Sequence, residues 1–278
     1  MIGQKHIQKQ IKTAIESNSL ARFIILVGDV GSGRKTLAKE IAGWLGANYI
    51  LVDKGVDAVR EVIEQSYMIS ADVVYVLDGD NMSGAAKSAL LKVTEEPPNN
   101  VRFILVINSV ETMLDTLISR ACVYRMDNYT EREIAEFAGS DDVRYQEYCS
   151  NKYEVDLLKA YGIDDFMGFV LKVVDNIDEV SSANAFKIEQ SIAFSADDDK
   201  YDMKIFLQAF NAVCLDRAKQ DTEGPNRLQS FNPNRLMYLD WIKITTDTIA
   251  TMRALPVNKQ SLFDNWIFDI RSVYHADS

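Results

Sequence analysis

The sequence has few cysteines and no long apolar run, and each shortage excludes a class of protein. Its three cysteines, Cys122, Cys149 and Cys214, lie far apart and form no CxxC pair. They predict reduced core thiols in a cytoplasmic protein rather than a disulfide framework. No apolar run approaches the ~18 residues needed to span a bilayer, and no signal-peptide pattern opens the sequence. The composition, 47% apolar and 26% charged, is typical of a globular protein of two or three domains.

An excess of positive charge is also absent. The formal net charge is −11 at pH 7, with 16 basic and 21 acidic side chains in residues 1–150 and 14 and 20 in the rest. Affinity for nucleic acids comes largely from basic side chains that neutralise phosphates. We therefore do not expect the chain to hold DNA alone through its overall field, and any contact with DNA is expected to be a local patch.

The stretch from residue 73 to residue 100 predicts a buried strand followed by a helix. Val73–Leu77 is a run of β-branched and apolar residues, typical of a strand buried on both faces, and Asp78 follows at its tip. Ser83 is a candidate N-cap for the helix. The helix is expected to end at Glu95–Pro98, because a residue that precedes proline is pushed out of helical geometry.

The end of this stretch, LLKVTEEPP at residues 90–98, resembles the LLKTLEEPP run of the AAA+ clamp-loader subunits of replicative polymerases. The resemblance covers nearly the whole chain and is strongest over residues 22–126. It implies an α/β fold, a parallel five-stranded AAA+ sheet domain with helices on both faces, followed by a helical lid and a helical collar. The three domains would span residues 1–128, 129–180 and 181–278.

A second motif joins a strand to a helix near the N-terminus. Phe23–Val27 predicts a buried strand, GDVGSGRKT follows at residues 28–36, and a helix is expected through Leu45. This is the context of a phosphate-binding loop, in which glycines let backbone amides face an anion at a helix N-terminus. The opening Ile2–Gln4 is similar to the clamp-loader stretch that packs against the adenine of ATP. The candidate nucleotide-binding residues are Gly28, Gly31, Ser32, Gly33, Arg34, Lys35, Thr36, Asp78 and Asn108.

The loop departs from the G-x-x-x-x-G-K-[ST] order. Arg34 stands in the lysine position and Lys35 in the Ser/Thr position, which removes a hydroxyl ligand for Mg²⁺ unless a one-residue bulge recruits Lys35 and Thr36. The ATPase members carry a glutamate after the metal-side aspartate, whereas Gly79 follows Asp78 here and cannot act as a general base. Binding of ATP with Mg²⁺, with Asp78 as the metal ligand, stays open. Efficient hydrolysis is expected to be lost, and no zinc is expected because the family's four-cysteine module is absent.

Further positions bear on phosphate chemistry by resemblance. Asn108 follows the predicted strand Arg102–Ile107 at the family's sensor-1 position. Arg120 lies in SRAC, similar to the family's Ser-Arg-Cys stretch with one alanine inserted, whose arginine reaches into a neighbour's ATP site. This implies a trans-acting arginine finger, and the alternative is an ordinary surface arginine. Asp165 stands where family ATPases carry an arginine that touches the γ-phosphate, and Asp80 is an acid two residues beyond Asp78.

From residue 130 onwards the pattern turns helical. Thr130 and Glu133 have the spacing of a capping box at a helix start. The predicted lid helices lie near residues 130–138, 142–160 and 164–178. The remaining segments predict further helices without phosphate chemistry, and by resemblance they form the collar through which subunits assemble.

Two features indicate surfaces for partners. GVDAVREVIE at residues 55–64 resembles the GVDDIRELIE helix of the family, which carries the clamp-facing surface in the ATPase subunits. Aromatic side chains near the C-terminus would be interface anchors if exposed, with core packing as the alternative. These are Trp241, Phe263, Trp266 and Phe268.

The resemblance implies a subunit of a DNA sliding-clamp loader in replication, of the DNA polymerase III delta-prime type that contributes structure and an arginine instead of hydrolysis. Its partners would be other AAA+ clamp-loader subunits, the sliding clamp, and primer-template DNA through the assembled complex, with no membrane. The short length and absent zinc module suit a viral version. Two alternatives stay open, a clamp-loader ATPase with a divergent loop and an AAA+ regulator unrelated to replication.

Overall fold

The structure, a computed structural model, describes residues 1–53, 55–177, 188–193, 200–220, 233–254 and 257–276. It divides into two compact units, Met1–Glu133 and Ile134–Ser278. The boundary expected between lid and collar, at residue 180, lies outside the described residues, so the division into three domains stays a prediction. Within the described ranges, no helix combines the length and the apolar character that crossing a membrane would require.

The first unit is built on a five-stranded parallel sheet with the order β2-β3-β4-β1-β5. This confirms the predicted α/β fold class. Parallel strands need crossover connections, and here helices provide most of them. The strands are β1 (Phe23–Val27), β2 (Asn48–Leu51), β3 (Val73–Asp78), β4 (Val101–Ile107) and β5 (Cys122–Arg125).

Helices cover both faces of this sheet and create two apolar cores. Along β3, Tyr75 and Leu77 enter one core while Val74 and Val76 enter the other, as alternation along a strand requires. The prediction of a strand buried on both faces is therefore confirmed. The helices are α1 (Lys5–Glu16), α2 (Arg34–Leu45), α3 (Val56–Ser66), α4 (Gly84–Glu95) and α5 (Asp115–Ile118).

The predicted ends of α4 are also confirmed. The Ala86 N–H donates to Ser83 Oγ at 3.2 Å, so Ser83 caps the helix. The helix ends at Glu95, two residues before Pro97. The last helix that begins in the first unit, α6 (Glu131–Ala138), starts with the expected capping box, because Thr130 and Glu133 each accept from the other's N–H.

The second unit is largely helical. Its described helices after α6 are α7 (Arg144–Tyr148), α8 (Lys152–Tyr161), α9 (Ile163–Asn176), α10 (Met203–Gln220), α11 (Pro233–Ala254) and α12 (Lys259–Ala276). A short parallel pair, β6 (Ile192–Ala193) and β7 (Tyr201–Asp202), accompanies them.

One predicted helix in this unit is wrong. The segment 142–160 is two helices, α7 and α8, because Asn151 begins a new helix by accepting from the Glu154 N–H at 3.1 Å. Glu154 in turn accepts from the Ser150 N–H at 2.6 Å and pairs with Lys204 at 2.7 Å. These bonds stabilise a helix start at a place where apolar spacing alone predicts continuation.

Of the two interpretations of the late aromatic residues, core packing is confirmed for three of the four. Trp241, Phe263 and Trp266 are buried among aromatic rings of the second unit. The indole of Trp241 donates to the Ile270 carbonyl at 3.0 Å. Phe268 alone among the four is exposed, at 71%.

The three cysteines are free thiols, but Cys122 is only partly buried, so the prediction of a core thiol is wrong at that position. Cys149 and Cys214 are buried, and burial raises both pKa values, that of Cys149 to about 12. Such thiols stay protonated and unreactive at neutral pH.

Candidate nucleotide site and rim arginine

The predicted nucleotide-binding residues of the first unit converge on one edge of the sheet. β3, β4 and β1 are consecutive and parallel, so their carboxyl ends meet there. The glycine-rich loop leaves β1 at Gly28, whose N–H donates to the Ile107 carbonyl at 3.0 Å. Asp78 ends β3, and Asn108 follows β4. Asn108 is exposed there.

The loop passes into α2 without an insertion. Gly33 has a φ of 90°, a left-handed conformation that favours glycine, and α2 begins at Arg34. The Leu37 N–H donates to the Gly33 carbonyl at 2.8 Å, the regular helical bond. The one-residue bulge that would recruit Thr36 is thus not present, and Thr36 is exposed on the first turn of α2.

Arg34, in the lysine position, is paired inside the protein. Its Nη1 lies 3.3 Å from Asp80 Oδ2, and its side chain is only 10% exposed. The other oxygen of Asp80 accepts from the Asn108 N–H at 2.6 Å. Asp80 therefore ties the loop arginine to the tip of β4, and both of its oxygens are engaged.

Lys35, in the Ser/Thr position, approaches the metal-side aspartate. Its Nζ lies 3.4 Å from Asp78 Oδ2, and its side chain is half exposed. In a catalytic P-loop the hydroxyl at this position and the aspartate are both on the side of Mg²⁺. Here an ammonium group faces the carboxylate directly.

Gly79 has no acidic side chain, and the side chains packed around it leave no space for one. A Cβ at this position would lie 2.6 Å from Ile107 Cγ2 and 3.0 Å from the Leu105 side chain. Both are buried core residues of β4. A glutamate at position 79 would therefore collide with the core.

The loop suits the phosphates of ATP, whereas the position beside Asp78 does not suit its Mg²⁺. A Cβ at Gly28 would lie 2.8 Å from Ser32 Oγ, so glycine keeps the inside of the loop open. Ser32 Oγ is buried and has no hydrogen-bond partner among the described residues, so the loop offers a phosphate an unsatisfied polar atom. Mg²⁺ does not fit, because Lys35 brings a positive charge and no oxygen ligand to Asp78. In the described ranges, no cluster of three or more His, Cys, Asp or Glu side chains could hold a metal.

Sequence reasoning missed Tyr129. Its hydroxyl donates to the Ser32 carbonyl at 2.9 Å, and burial raises its pKa, which keeps the proton on the hydroxyl. Its ring lies against Gly3, whose φ is 73°. Gln4 exchanges two hydrogen bonds of 2.7 Å with the backbone of Asp127. The predicted adenine stretch is thus joined to the segment that follows β5, over a sequence distance that no local pattern reveals.

Arg120 follows α5, away from the loop in sequence. Its Nη1 donates to the Thr116 carbonyl and its Nη2 to Glu95 Oε1, each at 2.7 Å. The side chains of Arg120 and Glu95 are one-third and about one-half exposed. The arginine therefore lies at the surface with an exposed partner from the LLKVTEEPP run, a contact that sequence reasoning also missed.

The acid predicted at the γ-phosphate position belongs to the second unit. Asp165 lies in the first turn of α9, after Gly162. Its neighbour Asp164 pairs with Arg144 at 2.7 Å, and Arg144 also pairs with Asp142. The first turn of α9 thus presents two acids.

The known proteins to which the chain is similar carry the names of DNA polymerase III and replication factor C subunits. A family model described as DNA polymerase III, delta subunit, matches residues 46–130. The chain is 27% identical over 165 residues to a replication factor C small subunit of Haloarcula marismortui, covering 53% of the chain and 50% of that protein. It is 28% identical over 169 residues to a DNA polymerase III subunit gamma of Buchnera aphidicola, covering 49% and 47%. Over part of its length the chain is therefore similar to subunits named for DNA polymerase III and replication factor C.

Two facts define the extent of this similarity, the length of chain that it covers and the likeness of the structures. The chain spans about half the length of the curated relatives it matches. Among solved structures, the gamma subunit-related protein of Thermotoga maritima has a TM-score of 0.49 at 13% identity, with 95% of the chain and 98% of that protein covered. The fold class rests on the strand order of the sheet and not on this superposition.

Proposed function

We propose that this chain is a subunit of a DNA sliding-clamp loader that does not hydrolyse ATP and donates Arg120 to the ATP site of a neighbouring subunit. The relatives carry the names replication factor C small subunit and DNA polymerase III subunit gamma, which agrees with the resemblance of the LLKVTEEPP run to clamp-loader subunits. The observation that carries the proposal is the pair of side-chain contacts Arg34–Asp80 and Lys35–Asp78 at the carboxyl edge of the sheet. They place a lysine ammonium beside Asp78, where a hydrolysing site has its metal, and they engage Asp80, so the metal and the water-activating acid of such a site are both missing.

The expected loss of hydrolysis follows from two features of this edge. Gly79 supplies no acid and packs too closely on β4 for a larger residue. Asp80, the acid two residues beyond Asp78, is engaged by Arg34 and by the Asn108 N–H. General-base catalysis needs a carboxylate within hydrogen-bond reach of the attacking water, and neither position offers one.

The role of Arg120 rests on its exposure and chemistry. A guanidinium is permanently charged, and its fork of donors matches phosphate oxygens. Two contacts hold Arg120 near the surface, and the partner carboxylate of Glu95 is itself exposed. Exposed ion pairs contribute about 0–1 kcal/mol, so a phosphate from a neighbouring subunit can replace Glu95 at little cost.

Purification of the chain with its native companions tests the proposal. The intact complex, weighed by native mass spectrometry, should contain other AAA+ subunits, and it should bind the sliding clamp on a clamp affinity column. Recovery of the chain without AAA+ companions or clamp would contradict the proposal and favour the alternative, an AAA+ regulator unrelated to replication.

The alternative of a working ATPase with a divergent loop needs a separate measurement. The purified chain should release no phosphate from ATP above the level of a buffer control. A turnover within the ordinary enzyme range, roughly 1–10³ s⁻¹, would establish the alternative and end the claim of an inactive site.

A further inference from the structure

The loop of the first unit pairs a cation with Asp78 at the place where related ATPases would bind a metal. We propose that the ammonium of Lys35 takes the place of Mg²⁺ there, so that the loop binds the phosphates of a nucleotide without a divalent cation. Lys35 Nζ lies 3.4 Å from Asp78 Oδ2, on a half-exposed side chain. The group is near the carboxylate and still open to a ligand.

An ammonium can bridge two anions as a metal ion does. It carries three N–H donors, and one of them is directed at Asp78. The others can be offered to phosphate oxygens by a small rotation of the flexible lysine stem. Asp78 can thus orient the ammonium of Lys35 toward a bound phosphate.

The same residues disfavour Mg²⁺. This ion requires an octahedral set of oxygen ligands at short distance. Position 35 supplies no hydroxyl, and Thr36 is turned onto the exposed part of the first turn of α2. A metal ion beside Asp78 would also meet the positive charge of Lys35. The site therefore replaces one divalent metal ion by the single positive charge of Lys35.

Ser32 gives independent support for a ligand at the loop. Its side-chain oxygen is buried and without a hydrogen-bond partner among the described residues, and the residue is 7% exposed. It points to the interior of the loop, since a Cβ on Gly28 would lie 2.8 Å away from it. Buried polar atoms are nearly always satisfied in native proteins, and a phosphate or its water shell would satisfy this one.

This inference goes beyond the proposed function and can fail separately from it. A loop that holds nucleotide without metal and without a general base does not hydrolyse it, so bound nucleotide would serve to order the loop. If the loop binds nothing, assembly into a clamp loader and donation of Arg120 are unaffected. The two ideas are therefore tested on different preparations, the full chain for binding and the complex for assembly.

Titration of the full chain with a fluorescent ATP analogue, in Mg²⁺ and in EDTA, tests the inference. The dissociation constants should agree within about twofold, a difference well below 1 kcal/mol. Lys35→Ala should weaken binding in both buffers by about tenfold or more, the expected loss of a charge-assisted hydrogen bond. Lys39→Ala is the matched control, an exposed lysine one turn later in α2, and it should leave the constants unchanged.

Three results would overturn the inference. The first is no binding by the unmodified chain in either buffer. The second is binding that Mg²⁺ tightens by about tenfold or more, which would show a metal contributing on the order of 1.4 kcal/mol. The third is an equal effect of Lys35→Ala and Lys39→Ala, which would reduce the role of Lys35 to general surface charge.

Discussion

In the first unit, the glycine-rich loop and the segment after α5, which we call the rim, each carry an arginine near a carboxylate. These pairs are Arg34–Asp80 at the loop and Arg120–Glu95 at the rim, and they differ in burial. In the loop, Arg34 and Asp80 are 10% and 19% exposed at the side chain, and Asp80 also accepts from the backbone of β4. At the rim, the side chains of Arg120 and Glu95 are 33% and 56% exposed. The first pair is integrated into the sheet edge, and the second lies in solvent.

This difference in burial determines which of the two arginines remains available to a neighbouring subunit. A partly buried charge pair is costly to break, because either group would be left without its counter-charge away from water. An exposed pair exchanges with water and with other ions at small cost. The same residue type therefore serves structure at the loop and can serve a neighbour at the rim.

The largest effect on stability is expected from restoring the missing acid. Gly79→Glu should lower the free energy of unfolding by about 3 kcal/mol, the upper end for overpacking a core, because its Cβ would lie 2.6 Å from Ile107. Chemical denaturation followed by circular dichroism measures the loss. Gly84→Ala is the control, because no atom lies within 4 Å of a Cβ at this first residue of α4, and it should cost nothing. Equal stability of Gly79→Glu and the unmodified chain would show that packing does not exclude an acid there.

Much of the first unit was predictable from sequence because its signals are local. The buried runs of β1 and β3, the cap at Ser83 and the prolines after Glu95 each act within a few residues, and the structure confirms them. The split between α7 and α8 was missed, although the Asn151–Glu154 spacing is itself a local cap signal.

The contacts that decide the chemistry could not be predicted in this way. Arg34–Asp80, Lys35–Asp78 and Arg120–Glu95 join residues 46, 43 and 25 positions apart. Only the order of the parallel strands brings the first two pairs to one edge of the sheet. The burial of the aromatic residues near the C-terminus could not be predicted for the same reason, because it depends on how helices distant in sequence pack together.

A smaller loss of stability is expected when the Arg34–Asp80 pair of the loop is broken. Asp80→Asn keeps an oxygen for the Asn108 N–H but removes the counter-charge of Arg34, and should cost about 2 kcal/mol, as for a buried charged group that loses its partner. Asp57→Asn is the matched control, since Asp57 is fully exposed and its partner Arg60 is largely exposed. Equal denaturation midpoints for the two variants would remove the proposed difference between a buried and an exposed pair.

The smallest effect is expected at the rim. Glu95→Gln should change the free energy of unfolding by less than about 1 kcal/mol, because the ion pair with Arg120 is exposed. The Thr116 carbonyl should still hold one nitrogen of the guanidinium. The same denaturation measurement applies, and a loss as large as that of Asp80→Asn would mean that the rim pair is as firmly bound as the loop pair.

The most direct test of the account is the ATPase of the reconstituted complex, with clamp and primed DNA, carrying Arg120→Ala. The complex should assemble normally, one site should lose about 10³–10⁵ in rate, as arginine fingers do, and the other sites should stay active. Arg120→Lys, which keeps the charge without the fork, should recover little, and Arg132→Ala, an exposed arginine on α6, should have no effect. An unchanged rate for Arg120→Ala, or collapse of the assembly, would contradict the trans role of this arginine.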